Sequence, residues 1–155
     1  MLKSKKTVKI LALSAAIIAV AAIICLLVNS YLSKKQIKEL ENRFDGSIIE
    51  IRLRQTVDSI DYVAFDDAEL IEKWEKTLSE ISLLDSRNLT RQEKHMDGGR
   101  PTVVLKYQNE ELTFCIYDGY LDFDGKLYTV DKDLSAVFDE SYKIAVEKYG
   151  LTRMY

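Results

Sequence analysis

Asp122, Asp124, Gly125 and Asp131 fall on positions three, five, six and twelve of a calcium-loop template. That template wants a carboxylate first and a bidentate glutamate last. Here Tyr120 stands first, Asp131 last, and strand-like sequence flanks the run. A hairpin turn accounts for Asp124-Gly125 without metal, because a tight turn needs positive φ. His95 is the only histidine in the chain. Catalysis through it would need a nucleophile and an orienting acid brought from elsewhere, or metal co-ligands. Cys115 lies in a strand-like stretch, and none of Ser47, Ser59 or Ser135 sits in a nucleophile elbow. The carboxylate pairs Asp66/Asp67, Glu110/Glu111 and Asp139/Glu140 occupy a helix start, a turn and a solvent face, where acids are ordinary. Neither catalytic residue, cofactor nor metal is expected. The balance leans away from an enzyme.

One aromatic–acidic cluster stands out. Tyr117 and Tyr120 flank Asp118-Gly119, with Asp122 beside them. The three form a candidate contact surface for a partner or a cationic ligand. Cross-strand aromatic pairing that merely stabilises the hairpin competes with that role.

These residues are positioned by a meander. Two-residue turns are expected at Asn109-Glu110, Asp118-Gly119 and Asp124-Gly125. Tyr107 then faces Leu112, Leu105 faces Phe114, Val103 faces Ile116, Ile116 faces Leu121, Phe114 faces Phe123 and Leu121 faces Tyr128. Directly opposed residues share a face, so this apolar set lies on one side of four strands across Thr102–Val130, and a one-residue slip scatters it. Lys106, Thr113, Cys115, Asp122 and Thr129 collect on the other side.

Ahead of the meander, Ile49, Ile51 and Leu53 alternate with Glu50, Arg52 and Arg54, which predicts a half-buried strand over Ser47–Gln55. Asp61–Phe65 predicts a second. A helix follows, capped by Asp66 with Glu69 three residues on, and lined by Leu70, Ile71, Trp74, Leu78 and Ile81. Trp74 reads as a core anchor. Asp85–Pro101 is polar and irregular, and reads as a loop. Asn88-Leu89-Thr90 within it matches a glycosylation sequon. Asp131 or Asp133 caps a last helix, striped by Leu134, Val137, Phe138, Tyr142, Ala145 and Tyr149 and closed by Gly150. The order ββαββββα predicts an α+β domain, an antiparallel sheet packed against one or two helices.

An apolar run precedes all of this. Ile10–Val28 contains no charge, Pro or Gly, and eleven of its nineteen residues are Leu, Ile or Val. At about 1.5 Å per residue it extends roughly 28 Å, near the thickness of bilayer hydrocarbon. Ile10, Leu13, Ile17, Val20, Ile24 and Val28 would face lipid as a transmembrane anchor. The run exceeds the apolar core of a cleaved signal, about 7–15 residues, although Val28-Asn29-Ser30 offers a poor cleavage site. Cys25 follows Ile23-Ile24 rather than a small residue, which argues against a lipoprotein.

The expected division is a basic head (1–9), the span (10–31), a juxtamembrane stalk (32–46), the domain (47–150) and a tail (151–155). Lys3, Lys5, Lys6 and Lys9 face Lys34, Lys35, Lys38 and Arg43 across the span. The charges tie, and the short head favours an inside N-terminus with the domain translocated; the reverse stays open. Ala12, Ala15, Ala16, Ala19 and Ala22 could support a weak homodimer through the span, although Ala is common in such helices. Ile37, Leu40 and Phe44 form a helical stripe suited to headgroups or to a dimerising stalk.

Charge divides the same way. Residues 1–44 hold eight Lys/Arg against Glu39 and Glu41, and residues 45–155 hold fourteen against twenty-three Asp/Glu. The acidic domain excludes a nucleic-acid surface; the basic end suits the lipid bilayer. Cys25 and Cys115 are too differently placed for an intramolecular disulfide.

The layout resembles small uncharacterised single-pass membrane-anchored extracytoplasmic proteins of low-GC Gram-positive bacteria, which carry a domain of unknown function. The likeness rests on Lys3–Lys9, Ile10–Val28, Phe65-Asp66-Asp67-Ala68-Glu69-Leu70-Ile71 and Tyr117-Asp118-Gly119-Tyr120. It implies a cell-envelope setting and no activity. The expected role is a non-catalytic binding or accessory module at the cell membrane, contacting an envelope protein or ligand. Alternatives are a hydrolase-type enzyme whose site is not visible as a motif, and an immunity or accessory protein acting through its span.

Overall fold

The computed structural model describes residues 2–56, 59–89, 99–117 and 119–153. Met1–Gln36 and Ile37–Tyr155 are two compact units. From Leu2 onward the first unit is helical, as part of α1 (Leu2–Phe44). Within Ile17–Phe44 an 18-residue window has a mean hydropathy of 2.0 and no buried residue, so the helix is long and apolar enough to cross a membrane. Ile17, Val20, Ile24 and Val28 are exposed; the side chains of Ile10 and Leu13 lie outside the described residues.

The second unit is α+β, as the sequence pattern predicts. After the end of α1 come β1 (Glu50–Arg54), β2 (Asp61–Phe65), α2 (Ala68–Glu80), β3 (Leu83–Asn88), β4 (Thr102–Lys106), β5 (Glu111–Tyr117), β6 (Tyr120–Phe123), β7 (Lys126–Val130), α3 (Ser135–Tyr149) and β8 (Thr152–Arg153). The described strands form one antiparallel sheet of eight, ordered β3-β7-β6-β5-β4-β1-β2-β8. One face of it carries the core with α2, α3 and the end of α1.

Two strands were not expected. Leu83–Asn88, whose last four residues fall in the predicted loop, is an edge strand paired with β7. Thr152–Arg153, in the predicted tail, pairs with β2. Neither alternates apolar with polar residues. Both are held by backbone pairing at a sheet edge, which composition does not reveal.

The first meander turn also differs. The Tyr107 amide donates to the Glu110 carbonyl at 2.9 Å, leaving Gln108-Asn109 as the turn residues. Leu105 therefore faces Leu112 and Val103 faces Phe114, rather than Phe114 and Ile116. Shifting a two-residue turn by one position shifts the register by two, so each side chain keeps its face. Only an odd register slip scatters the set. The other turns pair as expected, Ile116 with Leu121 and Leu121 with Tyr128. Asp124 (φ 51°) and Gly125 (φ 73°) supply the left-handed backbone that their turn requires.

Three local expectations shift by one residue or change role. The cap of α2 is Asp67, not Asp66: its Oδ1 accepts the Glu69 and Leu70 amides, both at 3.1 Å. Ile48 rather than Ile49 enters the core, and Ile49 is exposed. Before β1 the chain has not joined its regular ladder, and the Ile48 amide donates instead to Glu75 Oε1 at 2.8 Å. Asp133 accepts the Ser135 amide at 2.8 Å, whereas Asp131 accepts the Ser82 amide at 2.7 Å and so ties the end of α2 to the start of α3.

The larger correction concerns the stalk. Leu40 and Phe44 are core residues, 2 % and 4 % exposed, and Ile37 packs against the same core. Phe44 meets Phe114 edge-on, with centroids 5.9 Å apart. Burying a Leu and a Phe gives about 1.5–3 kcal/mol each, more than a headgroup contact by the same stripe would return. The last two turns of α1 are therefore part of the domain.

Candidate functional site

The outer face of the sheet is where the predicted contact residues meet. Side chains alternate across a pleat, so Arg87, Leu127, Asp122, Cys115 and Thr102 form one cross-strand row from β3 to β4. The Tyr117–Tyr120 pair lies beside that row. Their rings stand 6.4 Å apart, tilted by 32°.

Two arginines define the chemistry here. Arg100 is only 3 % exposed, and its Nη1 donates to Asp122 Oδ2 at 2.9 Å. The same guanidinium lies 4.5 Å from the Tyr117 ring centroid. Arg87 covers Tyr120 at 5.6 Å. Each tyrosine thus carries a cation on its face, and Asp122 is neutralised by Arg100. The slot that the sequence offers to a cationic ligand is filled by the protein's own side chain. What remains at the surface is tyrosine and arginine, a pair that dominates binding energetics in protein interfaces.

Arg87 and Arg100 escaped the sequence reading because both lie in Asp85–Pro101, where no periodicity points at a face. Thr102 Oγ1 and Cys115 Sγ approach to 3.6 Å in the same row. His95 and Asp118 lie outside the described residues.

The acids of the calcium template do not converge: Asp122 pairs with Arg100, Asp124 sits in a turn and Asp131 holds Ser82. Among the described residues no group of three or more His, Cys, Asp or Glu could hold a metal.

A second concave region lies at the other end of the meander. A cleft of about 680 Å³ opens between the end of α1, the Gly46-Ser47 segment and the β4–β5 turn. Arg43 Nη2 and Glu110 Oε2, 2.7 Å apart, bridge its walls, and Arg43 also stands 5.2 Å from the Phe123 ring centroid. Tyr107 lines it, 8 % exposed, and its buried hydroxyl has no hydrogen-bond partner among the described residues. Gly46 is required beneath the ring, since a Cβ there would lie 2.8 Å from Tyr107 Cδ1. Burial pushes the Tyr107 hydroxyl up to about 12, with the Glu110 carboxylate adding to the shift, so it stays protonated at physiological pH.

No family model, curated protein or solved structure matches this chain.

Proposed function

We propose that the chain is a single-pass membrane protein whose translocated α+β domain is a non-catalytic module, docking a protein partner of the cell envelope through the outer face of the β5–β6 hairpin. The observation that carries this reading is the pair Tyr117 and Tyr120, each faced by an arginine. Flat amphipathic rings give large contact area at low conformational cost, and Arg87 sets a positive charge beside Tyr120 at the exposed edge of the patch. The bilayer is the second partner. The apolar window of α1 supports that part of the proposal, with the basic residues at both ends suited to anionic headgroups.

A photo-crosslinking residue at position 120, in the full-length protein in its native membranes, tests the contact. One discrete adduct is expected, with a yield that drops severalfold in Tyr117→Ala. Absence of an adduct, or an adduct indifferent to Tyr117→Ala, refutes the docking face.

A further inference from the structure

We propose that Tyr31, Lys34 and Lys35 form a binding site for the headgroup of an anionic phospholipid, at the domain-proximal end of the apolar run in α1. This site rests on the reading of α1 as a membrane span, and it names the lipid chemistry that one end of the span takes. It is separate from the docking face.

The spacing brings the three residues together. They lie on one helix, at roughly 100° per residue, so positions 31, 34 and 35 fall within an arc of about 100°. All three are exposed, Tyr31 by 69 %. None belongs to the set that α1 contributes to the core, Ile37, Leu40 and Phe44. The sequence Asn29–Lys38 adds a third lysine, Lys38, and contains no Asp or Glu.

Depth and charge specify the partner. Val28 ends the uncharged run, and Tyr31, Lys34 and Lys35 follow it. At about 1.5 Å per residue they stand roughly 5–10 Å beyond it along the helix. The polar layer on each side of a bilayer is about 5–8 Å deep. Tyrosine favours that layer, ring toward hydrocarbon and hydroxyl toward water, and lysine carries its ammonium there on an apolar stem. Glu39, the next acid along the chain, lies about 6 Å further on than Lys35. A zwitterionic headgroup balances its phosphate with its own ammonium, whereas phosphatidylglycerol leaves the phosphate charge uncompensated. Each lysine near the surface favours the anionic lipid by about fivefold. In the orientation proposed above these lysines stand on the translocated side, where the positive-inside bias disfavours them. An anionic headgroup gives them a counter-charge there.

Fluorescence quenching in the full-length protein tests the site. Tyr31→Trp keeps an interfacial aromatic ring, and Trp74, buried in the core, serves as the unquenched reference. The variant is reconstituted in phosphatidylcholine vesicles that carry either phosphatidylglycerol or phosphatidylethanolamine, brominated near the carbonyl end of the chains. Quenching is expected to give about a tenfold preference for phosphatidylglycerol. Adding Lys34→Gln and Lys35→Gln is expected to reduce that preference to within twofold, with an unchanged urea midpoint for the domain. Adding Lys5→Gln and Lys6→Gln instead, at the other end of the span, is expected to preserve it. Equal quenching by the two lipids, or a preference that survives Lys34→Gln/Lys35→Gln, overturns the lipid site while the protein stays with the vesicles in alkaline carbonate. Release by carbonate overturns the span itself, and the site with it.

Discussion

Asp67 shows how much one side chain can organise. Its carboxylate caps α2 through the Glu69 and Leu70 amides, and its other oxygen accepts from the Lys148 ammonium and from the Tyr149 hydroxyl at 3.2 Å, so it fastens the start of α2 to the end of α3. The Lys148 hydrogen bond, followed by the Leu70 amide, lowers its pKa from 3.8 to about 2. The same bond raises Lys148 to about 12. A carboxyl with a depressed folded pKa stabilises above its unfolded value and loses that contribution as pH falls through the folded one. The window is therefore pH 4 down to about 2. Asn caps as well as Asp but does not titrate. Asp67→Asn is expected to flatten the fall of the urea midpoint over that window, with a lower midpoint at pH 7 because the Lys148 ion pair is gone. An unchanged acid limb would place the acid sensitivity elsewhere, for instance at Glu80, which the Lys132 ammonium also holds low.

Among the elements, α1 has two separate duties. Its middle turns, Ile17–Leu32, are apolar and exposed, and its last two turns contribute Leu40 and Phe44 to the core of the second unit. Glu41 adds a polar tie, accepting the Leu83 amide at 3.2 Å. A fragment beginning at Ile37 keeps these contacts, and one beginning at Ser47 loses them. Removal of a buried Leu or Phe side chain costs about 2–5 kcal/mol, a large part of the stability of a small domain. The fragment 37–155 is expected to unfold cooperatively in urea, and 47–155 to show a collapsed or absent transition by circular dichroism. Equal midpoints would show that the helix end is dispensable to the fold.

At the scale of the molecule, the distribution of charge and hydropathy matters more than any single contact. An acidic domain follows a basic, apolar N-terminal segment, and the run Ile10–Val28 carries no opposing charge. Several kcal/mol of insertion free energy accumulate over such a run. The full-length protein is expected to stay with the membrane fraction in alkaline carbonate and to enter solution only with detergent. Protease added to intact cells is expected to cut within 47–155 and to spare the head. Release by carbonate would refute the anchor. Protection of the domain in intact cells, with cleavage after lysis, would reverse the orientation.

The amino-acid order alone determined those properties that depend on period and composition. The alternation of Thr102–Val130, the stripe of Leu70, Trp74 and Leu78, and the uncharged run before them each bury or expose a whole face, so many residues vote for one answer. The same parity brought Tyr117, Tyr120 and Asp122 to one side of the sheet even though the first turn moved by a residue. Tertiary structure alone decided what each face meets. Leu40 and Phe44 have the same helical spacing whether they lie on lipid or on Phe114. Arg87 and Arg100 cover two tyrosines because β3 and the approach to β4 return to the sheet from a stretch with no period. Tyr107, Arg43 and Glu110 line one cleft although 67 positions separate the last two. Such meetings depend on closing long loops onto a formed core, and no local pattern encodes which partners the closure will bring together.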